Sequence, residues 1–364
     1  MGNMPLTTTS HASIAAVVAA VPSRVIRLDD ETESYGGNPA QLERLKKTIG
    51  LSERRVVDEQ TTTADLCLAA ARDLIAESSL AADAIDAIIF VTQTPDYPQP
   101  CNAALLHRDL GCRPECAAFD VNLGCSGYVY GLWLGHLLVE SGGYRNVLLL
   151  AGDTVSRIIH PNDRALAPLF GDGGSATWIR REETGSTPAH FEFFTDGSGY
   201  DSLIVPAGGF RRPSDADTAK AQADTQGNLR TLENLHMDGA AIFSFTISQV
   251  PKAVEKLLIA VSCEKDAVDA YVFHQANRYI LGNIAKRLGI PFEKVPMATV
   301  EHFGNQSSAS IPTALLYECA EQLAAKQSAM RLVLCGFGVG LSWGTALIEL
   351  KQPERLALID YHSA

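Results

Sequence analysis

The sequence predicts an α/β protein built from two copies of one β/α unit, with mainly parallel sheets covered by helices. Short β-branched runs alternate with helical patterns of ten or more residues, as parallel strands joined by crossover helices require. The chain also repeats itself: DAIDAIIFVTQ at 83–93 returns as DAVDAYVFHQ at 266–275, and each is followed by a helix-like stretch ending in Leu-Gly, at Gly111 and Gly289. The parallel continues with NLGCSGYVYGLWLGHLLVES and VLLLAGD in the first copy, then HFGNQSSASIPTALLYECAEQL and LVLCGFG in the second. At 364 residues, 46% of them hydrophobic, the chain can bury a large core.

In chain order, the expected units are a first half at 13–180, a second at 181–350 and a C-terminal tail at 351–364. In FDVNLGCSGYVYGLWLGHLL the apolar residues before Gly124 suit a buried strand, and Tyr128, Leu132, Leu134, Leu137 and Leu138 recur at helical spacing. Cys125 falls at the turn between them. Unpaired N–H groups and the positive dipole at a helix N-terminus favour a thiolate, so its pKa is expected below the free value of about 8.5. Gly124 and Gly127 would let another group approach the sulfur. The competing reading makes Cys125 a small core residue, as free cysteines commonly are.

Residues 206–235 are polar and rich in Ala, Asp and Thr, and read as a surface excursion, either a lid or a passive insertion. In the second half His274, in VFHQAN, follows the strand matching DAIIFV, and Asn305, in HFGNQSS, stands in the unit matching LGCSG. Packed about a pseudo-twofold axis, these turns would converge where open α/β folds hold ligands. A thiol nucleophile, an imidazole and an amide assembled there would make an acyl-transfer site. Asn305 also suits a helix cap. His302 is expected near the site without a role, and the other histidines in the core or on the surface.

Composition narrows the classes. A net charge of -12 disfavours nucleic acid and anionic membrane as partners. The eight cysteines lie mostly singly; Cys112 and Cys116, in CRPEC, come closest to a ligand pair, but no second pair completes a metal site. No apolar run reaches the roughly 18 residues of a membrane helix, and the start lacks the basic-then-apolar order of a signal peptide, so a cytoplasmic protein is expected.

Five motifs in this order give the chain a family resemblance: DVNLGCSG around Cys125, NDRALAPLFGDGGSA from Asn162, HQAN from His274, FGNQSSASIP from Phe303 and GFGVGLSWG from Gly336. It resembles the ketoacyl-acyl carrier protein synthase III group of thiolase-fold condensing enzymes, from about Ser13 to Leu350. The resemblance implies a five-layered αβαβα fold of two thiolase-like halves, a homodimer and a ping-pong reaction with no permanently bound cofactor. Cys125 would take an acyl group from coenzyme A or a carrier protein. His274 and Asn305 would then hold the thioester carbonyl of a malonyl extender while it loses carbon dioxide, with His274 neutral. The backbone N–H groups of Cys125 and Val339 would form an oxyanion hole, and Arg164 would contact a coenzyme A phosphate.

Departures from the family pattern concern substrates. Arg44 and Thr48 appear where a tryptophan and an arginine usually embrace the adenine, so Arg44 would stack on a purine or coenzyme A is not the usual donor. Gln99 stands where an aromatic residue often lines the partner subunit's acyl tunnel, and valine replaces a commoner glycine in GFGVG. Arg278, Lys286 and Arg287 are candidates for docking a carrier protein, although Arg278 is displaced by one residue from the family position, about 100° around a helix. The rival activities are a non-decarboxylating acyltransferase, a type III polyketide synthase and a cysteine hydrolase; a catalytically silent subunit is the rival from another class.

Overall fold

The apolar runs become strands buried on both faces, as helix-covered sheets demand. The structure, a computed structural model, describes residues 5–35, 39–225, 227–326 and 328–363; the first four residues, on which the leader reading partly rests, lie outside them. The strands of the two large sheets are β1 (Thr7–Thr9), β2 (Ala12–Pro22), β3 (Ala87–Val91), β4 (Ala117–Val121), β5 (Asn146–Asp153), β6 (Gly173–Arg181), β7 (Ala189–Thr195), β8 (Ala270–Phe273), β9 (Met330–Gly338), β10 (Ser342–Leu350) and β11 (Arg355–Tyr361). The α-helices are α1 (Pro39–Ile49), α2 (Thr63–Ala76), α3 (Asn102–Leu110), α4 (Gly127–Glu140), α5 (Gly239–Ala260), α6 (Arg278–Leu288), α7 (Thr299–Phe303) and α8 (Ser310–Ala325).

The first sheet has the order β11-β2-β6-β5-β3-β4 and the second β1-β7-β10-β9-β8. Helices α2 and α3 cover the outer face of the first, α4 and α8 lie between the sheets, and α5 packs with α6 outside the second, giving five layers. Both sheets are mixed rather than mainly parallel. In the second, β8 and β9 alone run parallel, while β9, β10, β7 and β1 pair antiparallel. A connection as short as the Gly338–Ser342 turn can only return the chain antiparallel. The segment at 351–364 includes β11, which pairs parallel with β2 at the edge of the first sheet.

Side-chain alternation assigns each strand face to a layer. In β3, Ala87, Ile89 and Val91 face the central helices, while Ile88 and Phe90 face α2 and α3. In β2 the phase flips: Ala12 and Ile14 share the central layer with Val17 and Ala19, because a register shift between Ile14 and Ala16 inserts one residue. Helix α4 lies close on the first sheet through Gly127, Gly131 and Gly135, one per turn. A methyl group at each would come within 2.3–2.5 Å of Val91, Leu149 and Ile179 respectively. Such contacts require glycine or repacking.

Candidate active site

Cys125 lies one residue before Ser126, the N-cap of α4, and is 6% exposed. Its sulfur is approached by Gly338 at the end of β9, where a Cβ would stand 2.8 Å from Cys125 Cβ and 2.9 Å from Sγ. The two glycines singled out beside it serve other contacts. Gly124 faces the Gln93 amide and Gly127 faces Val91, so glycine spacing in sequence did not reveal which backbone meets the thiol.

The thiol also departs from expectation. Burial, reinforced by the nearby Asp153 carboxylate, pushes its pKa up to about 11. Desolvation of a thiolate outweighs the partial charge of the helix terminus. Opposing it are the Ser307 hydroxyl, 3.9 Å from Sγ, and the backbone N–H groups of Val339 and of Cys125 itself.

His274 extends β8, its N–H donating to the Cys335 carbonyl at 2.8 Å. Its ring is 2% exposed and edge-on to Phe337, and burial pushes its pKa down to about 3, so the imidazole is neutral. Nδ1 lies 2.7 Å from the Ser310 hydroxyl, which already accepts the Gln275 N–H at 3.3 Å. A Ser310 hydroxyl that donates to Nδ1 would place the imidazole hydrogen on Nε2. Asn305 is held by a bridge to Phe170, and its Oδ1 accepts the Ser307 N–H at 3.0 Å, leaving the NH2 group as a donor. It does not cap α8, whose N-cap position is Ala309.

These three residues line one cavity of about 180 Å3, with Phe243, Thr246 and Phe337 among its walls. A second cavity of about 40 Å3 shares Cys125, Phe170 and Leu203 with it and reaches Gln93, Asp153 and Val339. One sulfur and two neutral polar side chains on a common cavity are the groups that acyl transfer calls for.

The remaining candidates are dispersed. Arg164 and Arg44 are exposed and outside the lining of both cavities. Gln99 is exposed on the loop before α3. Arg278 begins α6, against Gly50 and 3.7 Å from Glu301, whereas Lys286 and Arg287 are exposed in its last turn. The helix rise of about 1.5 Å per residue separates these ends by roughly 12 Å, so they form no single cluster. His302 pairs with Glu53 at 3.5 Å outside the cavity. The 206–235 excursion packs its base against the site: Leu235 lines the smaller cavity, and Arg230 forms an ion pair with the buried Asp163, next to Arg164. Among the described residues there is no group of three His, Cys, Asp or Glu able to hold a metal, and no helix is long and apolar enough to cross a membrane.

Sequence reasoning missed Ser307, Ser310 and Asp153. The serines carried a signal in the polar run QSSAS ahead of an apolar helix, and Asp153 in a lone carboxylate closing VLLLAGD.

Comparison with known proteins gives the family. The 3-oxoacyl-[acyl-carrier-protein] synthase III model matches residues 119–197, and the model of its C-terminal part matches 258–350. The chain is 39% identical over 343 residues to a putative 3-oxoacyl-[acyl-carrier-protein] synthase 3 of Campylobacter jejuni, covering 94% of each. It is 36% identical to a β-ketoacyl-[acyl-carrier-protein] synthase III of Streptomyces coelicolor, over 85% of this chain and 91% of that one. The crystal structure of a 3-oxoacyl-(acyl-carrier protein) synthase from Burkholderia xenovorans superposes with a TM-score of 0.91 at 40% identity, covering 98% of this chain and 99% of that one. Fold and site thus define a thiolase-fold condensing enzyme. The chain belongs to the 3-oxoacyl-[acyl-carrier-protein] synthase III family of acyltransferases.

Proposed function

We propose that this enzyme loads an acyl group on Cys125 and condenses it with a malonyl thioester, the two halves at 13–180 and 181–350 supplying nucleophile and donors respectively. The observation that carries the reading is the convergence of Cys125, His274 and Asn305 on one cavity. In the first half-reaction the Cys125 sulfur attacks an acyl-coenzyme A carbonyl. The carbonyl oxygen turns toward the Val339 and Cys125 N–H groups, which already favour negative charge at the sulfur. Coenzyme A leaves as its thiol, carrying the proton that Cys125 gave up.

In the second, a malonyl group on an acyl carrier protein places its thioester oxygen between His274 Nε2–H and the Asn305 NH2 group. Carbon dioxide leaves, the electron pair it abandons becomes an enolate held by those donors, and the enolate carbon attacks acyl-Cys125. The thiolate released takes a proton from solvent, as a group with pKa about 11 must near neutrality. A neutral His274 suits this step, because an imidazolium would stabilise the carboxylate that has to be lost.

Arg164 and Arg44 remain the proposed coenzyme A contacts, Gln99 a proposed contribution to the acyl pocket of a homodimer, and Arg278, Lys286 and Arg287 proposed carrier-protein contacts. The deciding experiment loads the protein from a panel of acyl-coenzyme A and acyl-carrier donors, adds a malonyl thioester and measures carbon dioxide. Release confined to acylated protein supports condensation. Acyl transfer to an alcohol or amine without release would replace it with a non-decarboxylating acyltransferase.

A further inference from the structure

Asp153 ends β5, is 1% exposed and lines the smaller cavity beside Cys125. A carboxylate there loses solvation and opposes ionisation of its neighbour, so its retention needs a reason. Its hydrogen bonds supply one. Oδ1 accepts the Gln93 N–H at 2.7 Å and the Thr92 and Thr94 hydroxyls at 3.1 and 3.4 Å. Oδ2 accepts the Ser308 N–H at 3.2 Å and the Ser308 hydroxyl at 2.8 Å. The first set lies on the turn after β3, in the first sheet; the second lies on the turn that carries Asn305 into α8.

We propose that Asp153 is a positioning residue: its carboxylate clamps the Asn305 turn to the strand ends of the first sheet, one oxygen to each side, and so aims the Asn305 amide for condensation. The inference rests on the condensation reading above. Each oxygen accepts from a backbone N–H, as both oxygens of an ionised carboxylate can, while burial works against that charge by raising the Asp153 pKa. The titratable groups packed around Asp153 are Cys125, Cys67 on α2 and Asp172, and His274 faces Cys125 across the larger cavity.

Asp153→Asn keeps the shape and cannot keep the clamp, because an amide has one accepting oxygen and must leave either Gln93 N–H or Ser308 N–H against an NH2 group. Loading of Cys125 from acyl-coenzyme A, read by intact mass, is expected within about threefold of wild type, while carbon dioxide release from malonyl thioester by loaded enzyme falls about 100-fold, the scale of losing one aligned donor. Alkylation of unloaded Cys125 by iodoacetamide is expected to shift to lower pH, since a charge opposing the thiolate is gone. Ser308→Ala, which removes one hydroxyl from one side, should show the same selective loss at a few-fold, and carries the test should Asp153→Asn not fold. Loading and release falling together, release unchanged, or an unmoved alkylation profile in Asp153→Asn would each overturn the clamp. Wild-type enzyme that loads but releases no carbon dioxide would instead remove the condensation reading, and the alkylation profile would still report on the clamp.

Discussion

Two histidines occupy nearly the same local environment, only one of them in the candidate site. His274 has its Nδ1 2.7 Å from a serine hydroxyl, lies edge-on to Phe337 and is pushed by burial down to about 3. His136, on α4, has its Nδ1 2.9 Å from the Thr9 hydroxyl, lies edge-on to Phe191 and is pushed by burial down to about 4. Exposure, tautomer partner and titration do not tell them apart. Their remaining neighbours do: His274 shares a cavity with Cys125 and Asn305, whereas Nε2 of His136 has no partner among the described residues. A perturbed histidine is therefore a site only where a nucleophile and a second donor converge on it.

The largest effect should follow from removing the neighbour that makes the difference. Cys125→Ala is expected to abolish acyl loading, by at least about four orders of magnitude, since no other group replaces a covalent nucleophile. Intact mass after incubation with acyl-coenzyme A checks it. Loading that persists at another cysteine would dissolve the contrast between the two histidines.

Next come the histidines themselves. His274→Ala and Asn305→Ala should load normally and lose about 10²- to 10³-fold in carbon dioxide release, the scale of one oxyanion donor. His136→Asn should leave both half-reactions within about twofold. Equal loss of loading in the His274 and Asn305 variants would show that these residues serve the nucleophile, and would break the division between sulfur and donors.

What the sequence discloses follows the same line. His274 and Asn305 were legible because duplication set them at turns matching those of the first copy, and the matching turns do meet. Asp153 was not: its partner Ser308 is 155 residues away, and no local pattern links an acid at a strand end to a serine there. The thiol's pKa moves opposite to the helix-terminus expectation, because that expectation sees the chain's direction and not the burial, which is set by Gly338 and by the second sheet. Sheet direction departs from expectation for a similar reason, since the β9–β10 hairpin lies in a stretch whose apolar pattern looks the same for either direction of pairing.

The third test concerns the thiol. With its pKa pushed up to about 11, Cys125 should be alkylated about 10²-fold more slowly at pH 8 than a free thiol, and the rate should keep rising past pH 10. Mass spectrometry resolved by peptide follows it against the exposed Cys101 in the same chain. A Cys125 profile that levels near pH 8 would mean that the helix terminus, not burial, sets its charge.

The smallest effect isolates the core histidine. His136 binds a proton at about 4 when folded and at about 6.5 when unfolded. Between those values the unfolded chain holds a proton that the native chain lacks. The stability tied to neutral His136 is therefore complete above about pH 6.5 and is lost as pH falls through 4, by up to about 1.4 kcal/mol per pH unit and about 3.4 kcal/mol in all. Subtracting His136→Asn from wild type removes the titrations the two proteins share, including Asp172, which burial raises to about 6 and which acts with the opposite sign. Urea unfolding of both proteins at pH 8, 6 and 4.5 should show the wild-type advantage shrinking over that window. An advantage that stays constant with pH would mean that His136 titrates freely in the native state, and the likeness to His274 would then be one of geometry alone.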